Sequence, residues 1–271
     1  MISFRLLNPP IMAGSPIELI FTHVKILKLL DSLNKLPGNF RTEQSVKFVA
    51  GQILNQRWLF STSIDKLPSI LQLLERYDLP RCALTLQNCL KGHANFVHVG
   101  MEHSEERTLI KLYLESENPE ATEDCRFIAC KWASGESSSV VSTMYREVAN
   151  ATPGIVRGKI LPMLKQHDVR LDSLHPLIES LGAALFPADL RLLHVRDQNS
   201  SRISYDLNFY DSDFLVEQCE ELLLEATRHC RISQTNMAKA LSEIRKYCIG
   251  HIALGFTAEQ RFFITLYYSP E

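Results

Sequence analysis

The sequence predicts an α+β fold: a closed, ten-stranded antiparallel β-barrel of five hairpins with a polar lumen, surrounded by an outer ring of α-helices. Three observations predict it. First, a unit of two apolar-alternating runs, a polar turn and a helical stretch recurs along the chain, with hairpins at Gln44–Ser61, Asn95–Ser116, Arg126–Val148, Leu190–Tyr210 and His251–Tyr268. Second, two of these hairpins are visibly related, Val97-His-Val-Gly-Met … Leu109-Ile-Lys-Leu-Tyr-Leu beside Ile252-Ala-Leu-Gly-Phe … Phe263-Ile-Thr-Leu-Tyr-Tyr. Third, each strand carries one polar face. Closing the strands into a barrel removes the sheet edges and turns those polar faces into a lumen.

The totals set bounds on what such a barrel does. The even spacing of the hairpins over 271 residues favours one domain, 1–271, and 45% hydrophobic composition supplies a substantial core. A net charge of −2 argues against a nucleic-acid or membrane-surface protein. No apolar run is long enough to span a bilayer, and the opening residues lack the apolar core and cleavage site of a signal peptide. The cysteines (7, an odd count) are scattered without a Cys-x-x-Cys pair, so neither a disulfide framework nor a zinc site is indicated. Free thiols suit a cytoplasmic protein.

The elements follow in order. Ser15-Pro16 offers a helix cap with proline at the first position, and Ile17, Ile20, Val24, Leu27 and Leu30 give that helix an apolar stripe ending at Pro37-Gly38. After the first hairpin, Leu67, Ile70, Leu71 and Leu74 mark a helix over about Lys66–Tyr77, while Leu84–Leu90 is ambiguous. Pro153-Gly154 opens a helix to about Gln166, and a second runs over about Leu171–Leu185. Asp211–Cys230 and Ser233–Cys248 read as two further patterned helices.

Period-two alternation assigns the strand faces. In the first hairpin Val46, Phe48, Leu54, Trp58 and Phe60 belong under the helices, leaving Glu43, Ser45, Lys47, Asn55 and Arg57 inside. In the second, Ile110, Leu112 and Leu114 face out and Lys111, Tyr113 and Glu115 face in. Thr143 and Tyr145 share a face in the third. Ser204, Asp206, Asn208 and Tyr210 face in from the fourth, and Phe263, Thr265 and Tyr267 from the last.

The lumen so assembled holds the cations Lys47, Arg57 and Lys111, the phenols Tyr113, Tyr145, Tyr210 and Tyr267, and the acids Glu43 and Asp206. Buried charges cost several kcal/mol each unless paired or used. Lys and Arg with tyrosine hydroxyls suit a phosphate or diphosphate through charge-assisted hydrogen bonds. Stacked tyrosine faces suit a carbocation. A diphosphate leaving group beside a shielded carbocation is the chemistry of prenyl transfer, and a carboxylate in the same cavity could take the acceptor's proton. Other chemistries lack their motifs: there is no Gly-rich phosphate loop, no paired Asp-rich motif for magnesium and no Gly-x-Ser-x-Gly elbow. His98, His194 and His251 lie on strands without metal-ligand spacing and read as structural.

Three segments then carry a resemblance to a known family. Glu43-Gln-Ser45-Val-Lys47 followed by Arg57-Trp-Leu-Phe, Gly100-Met-Glu … Leu109-Ile-Lys111-Leu-Tyr113, and the strand ends Met144-Tyr145-Arg-Glu-Val and Thr265-Leu-Tyr267-Tyr268 resemble the hairpins of the ABBA (PT-barrel) prenyltransferases, above all the cyanobactin peptide prenyltransferases of RiPP biosynthesis. The likeness runs over most of the chain from about residue 40, in short pieces. It implies that Glu43 orients and deprotonates the acceptor, that Arg57 and Lys111, with Lys47 as a third cation, bind the diphosphate, and that Tyr113, Tyr145 and Tyr267 shield the allylic cation. It implies dimethylallyl diphosphate as co-substrate, with geranyl diphosphate as the longer option, and a peptide, generally macrocyclic, as acceptor. No tightly bound cofactor and no protein-held metal are implied; magnesium carried by the diphosphate itself is compatible with the pattern.

The chain also departs from the family. Thr265 stands where arginine is frequent and Glu115 where a basic residue is common. Asp206, where some members have histidine, adds a second carboxylate beside Glu43. With Tyr210 it reads as acceptor-binding, and two carboxylates suit a guanidinium through bidentate bonds. An arginine side chain is therefore the favoured acceptor, ahead of Trp, Tyr or His. Donor length in the family depends on the first strand of the fourth hairpin, where Leu192, Leu193 or His194 would stand; none is glycine, so a C5 donor is expected. The competing expectations are a non-catalytic barrel binding a small apolar or phosphorylated ligand, and a prenyltransferase of small aromatic molecules.

Overall fold

The computed structural model of the chain describes residues 27–37, 40–90, 92–104, 108–118, 122–134, 136–184, 190–210 and 212–269. In order these form α1 (27–34), β1 (Arg41–Val49), β2 (Gln52–Leu54), β3 (Arg57–Ser63), α2 (Leu67–Leu74), α3 (Arg81–Leu84), α4 (Leu86–Cys89), β4 (Phe96–His103), β5 (Thr108–Glu115), β6 (Cys125–Ala133), β7 (Glu136–Glu147), α5 (Pro153–Gln166), α6 (Leu174–Ala184), β8 (Arg191–Asp197), β9 (Ile203–Asn208), α7 (Glu220–His229), α8 (Gln234–Ser242), β10 (Cys248–Phe256) and β11 (Phe262–Ser269). The start of the first expected helix, from Ser15, lies outside the described residues.

Every neighbour in the sheet is antiparallel, and β11 returns to pair with β1 from Gln44↔Tyr268 to Val49↔Phe263, closing the barrel. β3 and β2 occupy successive stretches of the other edge of β1, Arg41–Gln44 and Lys47–Val49. They act as one interrupted strand, so the wall is ten strands around. That interruption overturns two expectations. Asn55 is exposed in the break, and Leu54 packs with Val49, Ala253 and Phe263 on the lumen side. The alternation resets because the chain leaves the ladder between Leu54 and Arg57.

The outward side chains and the helices make two apolar cores. Val46, Phe48, Leu192, Leu207, Ile252, Leu254, Ile264 and Leu266 pack under α5 to α8, through residues such as Val156, Ile178, Leu223 and Met237. Phe60, Val97, Val99, Ile110, Leu112, Leu114 and Trp132 pack under α1 to α4, through Leu29, Leu33, Ile70 and Leu74. Each fully buried side chain of this size contributes roughly 1.5–3 kcal/mol of transfer free energy. Trp132 Nε1 donates to the Tyr77 carbonyl at 2.8 Å, so its one polar atom is satisfied inside the core.

Local chemistry sets the helix bounds. The Thr152 hydroxyl accepts from the Ile155 amide and Pro153 takes the first position of α5; the Ser233 hydroxyl caps α8 through the Asn236 amide. The helices after β9 are shorter than expected. Over Asp211–Cys230 the helical turns begin at Val216, and α8 stops at Ser242, because Ile249 and its neighbours are drawn into β10. Among the described residues no helix is long and apolar enough to cross a membrane.

Phe48, fully buried on β1 beside the closing seam, is a direct probe of this packing. Phe48→Ala should cost about 3–5 kcal/mol, read as a lower denaturant midpoint in equilibrium unfolding.

Candidate functional site

Antiparallel partners share a face, so the registers carry the inward side chains round the barrel in three tiers. One end holds Lys47, Arg57, Glu102, Lys111, Lys131, Asp197 and Phe263, with Arg202 entering from the turn before β9. A middle belt holds Tyr113, Tyr145 and Tyr267, with Gly100 and Leu59. The other end holds Glu43, His98, Glu115, Phe127, Glu147, Leu193 and His251, and Asp206 stands at its border with the belt.

At the first end Glu102 Oε2 lies 3.0 Å from Lys111 Nζ and 3.4 Å from Arg57 Nη2. Burial alone would raise the Glu102 carboxyl; Arg57, Lys111 and Lys47 outweigh it and hold the group well below the usual range. The amines are shifted the other way. Burial, with crowding by neighbouring cations, pushes Lys47 down to about 7 and Lys111 to about 8, and Glu102 opposes both shifts. Lys47 Nζ sits 4.5 Å from the centre of the Phe263 ring. Arg202 pairs with Asp197 at 2.7 Å, and Asp197 also accepts from the Thr143 hydroxyl at 2.6 Å. The cations Lys47, Arg57, Lys111 and Arg202 outnumber the carboxylates Glu102 and Asp197 that pair with them. Arg57 Nε and Nη1 are buried with no hydrogen-bond partner. Such donors, left unmatched in a cationic cavity, call for an anion with several acceptor oxygens.

The belt is made of aromatic faces. The Tyr113 and Tyr145 rings stand 6.0 Å apart, Phe127 lies 5.8 Å from Tyr145 and 5.7 Å from His98, and the Arg57 guanidinium is 5.9 Å from the centre of the Tyr267 ring. Gly100 makes room for this arrangement: a Cβ there would lie 3.2 Å from Tyr113 Cε2 and 3.4 Å from Lys111 Cβ. Burial raises the phenols of Tyr113, Tyr145 and Tyr267 and keeps them protonated.

The third tier is acidic. Tyr210 Oη donates to Glu43 Oε2 at 3.1 Å and lies 2.5 Å from His251 Nδ1. His251 stacks on Tyr267 with ring centres 3.7 Å apart, and its Nε2 is 3.6 Å from Asp206 Oδ2. Burial raises the Glu43 carboxyl against the pull of the Tyr210 hydrogen bond. Burial, then the nearby charge of Glu43, pushes Asp206 up to about 8. Burial, reinforced by Arg57, depresses His251 to about 3, so its ring is neutral. Glu115 is matched separately, by Arg126 at 2.9 Å and His98 at 3.1 Å.

The structure therefore gathers Glu43, Lys47, Arg57, Lys111, Tyr113, Tyr145, Tyr267, Asp206 and the Tyr210 hydroxyl around one lumen. Tyr210 is 49% exposed, with its hydroxyl turned inward. Leu192 is a correction: it is fully buried in the outer core under α5 to α8, so it cannot gauge donor length. His194 also faces outward, stacked on Tyr205. Leu193, opposite Asp206 and Glu147, is the position of the three that faces the lumen. Lys111 pairs with Glu102 and not with Asp206. His251, read as structural, stands inside the site. Glu102 was missed although alternation from Gly100 puts it on the inward face; Arg202, in a turn, offered no periodic signal.

No family model matches the chain, and no curated protein matches it in sequence. Solved structures do match. The crystal structure of 5-dimethylallyltryptophan synthase from Streptomyces coelicolor aligns with a TM-score of 0.53 at 16% identity, over 85% of this chain and 81% of that one. The prenyltransferase PriB, in a binary complex with product diphosphate, aligns with a TM-score of 0.56 at 12% identity over 84% and 79%. The NotF prenyltransferase aligns with a TM-score of 0.56 at 10% identity over 84% and 80%. At these identities the likeness carries the fold, a ten-stranded PT barrel ringed by helices.

The cationic tier has a pH signature. Its affinity for inorganic diphosphate should fall as pH rises through 7 to 8, where Lys47 and Lys111 lose their protons. Glu102→Gln removes the carboxylate that favours the charged amines, so titration calorimetry of that variant should show the fall at lower pH.

Proposed function

We propose that the chain is a prenyltransferase that moves a dimethylallyl group from its diphosphate to a nucleophilic side chain. The observation that carries this is the stacking of three tiers in one lumen: an excess of cations around Glu102, a belt of tyrosine faces, and a buried carboxylate at Glu43 whose basicity is raised by burial. Each tier matches one demand of the reaction. Arg57 and Lys111, with Lys47, would hold the diphosphate and stabilise it as it leaves; the excess of cations over carboxylates favours a multiply charged anion. Tyr113, Tyr145 and Tyr267 would face the allylic cation while excluding water, which would otherwise capture it. Glu43 would take the proton that the acceptor loses on alkylation. No resident cofactor takes part; the diphosphate ester is the co-substrate.

The acceptor is read as a peptide side chain, on the strength of the motif resemblance, and arginine is the favoured one. Glu43 is close enough to oppose the ionisation of Asp206, and Asp206 Oδ1 is buried without a partner. A guanidinium would relieve both conditions with two hydrogen bonds. A second reading, a small aromatic acceptor, is favoured by the structural neighbour PriB, whose ternary complex holds L-tryptophan and dimethylallyl thiolodiphosphate.

Mass spectrometry after incubation with dimethylallyl or geranyl diphosphate and cyclic peptides bearing single Arg, Trp, Tyr, His or Ser residues tests both readings. The expected result is one added C5 unit on the arginine peptide. Modification of free tryptophan in preference to every peptide would establish the second reading. Glu43→Gln should lower turnover on the order of 100-fold or more while leaving diphosphate affinity nearly unchanged; unaltered turnover would remove Glu43 from the mechanism.

A further inference from the structure

The acidic tier contains a run of polar contacts that prenyl transfer as described above does not use. Three local features hold it in place. The β9–β10–β11 ladder carries a β-bulge between Ile249 and His251, which re-aims His251 into the lumen. Gly250, inside that bulge, lacks the Cβ that would lie 2.2 Å from Tyr210 Cε1, so the phenol ring can lie across the strand. The Phe209 amide donates to the Gly250 carbonyl at 2.9 Å and pins the chain that presents Tyr210. The result is a line that is hydrogen-bonded from Glu43 through the Tyr210 hydroxyl to His251 Nδ1, with Nε2 of the same ring facing Asp206 Oδ2 at 3.6 Å, just beyond hydrogen-bond range, so that a small closure completes it.

We propose that Tyr210 and His251 form a proton-carrying bridge between Glu43 and Asp206, through which the two carboxyl groups share one proton and act as a single base. This rests on the prenyl-transfer reading above. The hydrogen positions follow from the donor count. Tyr210 has one proton and gives it to Glu43, so the 2.5 Å contact with His251 is completed by a proton on Nδ1. The neutral ring then presents a bare Nε2 toward Asp206, whose carboxyl supplies the shared proton. In the opposite state Glu43 bears the proton and donates to Tyr210 Oη, Tyr210 donates to Nδ1, and Nε2–H donates to the Asp206 carboxylate. Three protons each move one place between the two states, and no charge is created on the ring.

At rest the shared proton sits on Asp206, which leaves Glu43 ionised and ready. When the acceptor's X–H bond breaks after alkylation, its electrons remain on the acceptor atom and its proton goes to Glu43 Oε. The extra proton leaves with water that enters the lumen as the product departs, and the resting state returns. His251 and Tyr210 are positioning residues in this scheme, acting on the acceptor through Glu43. The titratable and charged groups that face His251 are Asp206 from β9, Tyr210 beyond its end, Tyr267 from β11, Glu43 from β1 and Arg57 from β3.

The test compares wild type with Tyr210→Phe, His251→Phe, His251→Asn, His251→Gly and the double variant Tyr210→Phe/His251→Phe. The expected result is a drop in kcat on the order of 100-fold in each of the two Phe single variants, with no further drop in the double variant, because the two residues act as a unit. The pH profile of kcat/KM should lose one limb in these variants, and imidazole should restore part of the activity of His251→Gly. Affinity for inorganic diphosphate, held within twofold, shows that each variant is folded. Multiplying losses in the double variant, or a change confined to KM with the pH profile intact, would overturn the bridge.

A second readout needs no turnover. The ¹⁵N shifts of His251 should report a proton on Nδ1 in wild type and its transfer toward Nε2 in Tyr210→Phe; the same tautomer in both would overturn the bridge. If wild type transfers no prenyl group to any acceptor, the functional reading fails, while the nitrogen shifts still decide whether the bridge exists.

Discussion

The pairing of β11 with β1 is the constraint on which the rest depends. Before it forms, β1 and β11 are the two ends of a long meander, and Glu43 and Lys47 stand far from Thr265 and Tyr267. The ladder from Gln44↔Tyr268 to Val49↔Phe263 makes them neighbours. It also converts one polar face of an open sheet, which water would cover, into an enclosed lining. The contacts across the seam between β1 and β11 are long-range in sequence, so ordering them is entropically costly. The outer core beside the seam offsets that cost: the helices between β9 and β10, α7 and α8, and those between β7 and β8, α5 and α6, all lay apolar stripes across its strands.

Enclosure explains why the interior charges are sorted by sign. A lone buried charge is penalised heavily, and a pair gains more in a poorly screened cavity than it would in water. Glu102 is the clearest case. One carboxylate holds two cations at 3.0 and 3.4 Å, and in doing so keeps a lysine and an arginine charged and oriented before any anion arrives. At the far end the same physics works against ionisation. Burial makes both Glu43 and Asp206 harder to charge, Glu43 adds to the shift of Asp206, and the neutral His251 between them adds no compensating cation. The lumen is thus electrostatically polar along its axis, and a substrate with an anionic leaving end and a cationic accepting end would be aligned by that polarity alone.

Much of this was legible in the sequence because alternation is a local property. All five hairpins, the helices α2, α5 and α6, and the inward placement of Lys47, Arg57, Lys111, Tyr113, Tyr145, Asp206 and Tyr267 follow from period-two and helical spacing. The failures have distinct physical origins. Leu54 and Asn55 were misplaced because a two-residue departure from the ladder resets the face. Leu192 and Leu193 are both apolar, and a strand buried on both sides gives no alternation to separate them. The helix over Asp211–Cys230 was drawn too long because its apolar spacing continues into an irregular lead-in. His251 and Glu102 owe their importance to neighbours distant in sequence, Tyr210 and Asp206 for one, Arg57 and Lys111 for the other.

Adjacent residues on one strand of this barrel serve different masters. Val46 and Phe48 are committed to the packing beneath α7, and any change of volume there is felt by the whole domain core. Ser45 and Lys47, one position away, face the cavity side, opposite Tyr267 and Thr265. Chemistry and stability are therefore written in interleaved but separate alphabets. Lining positions such as Leu59, Leu193 and Thr265 belong to neither outer core, so the cavity surface and the shell are set by different residues. The bulge at His251 marks the place where that separation ends: there a backbone irregularity, a missing Cβ and a side-chain line are locked together, and none can be altered alone.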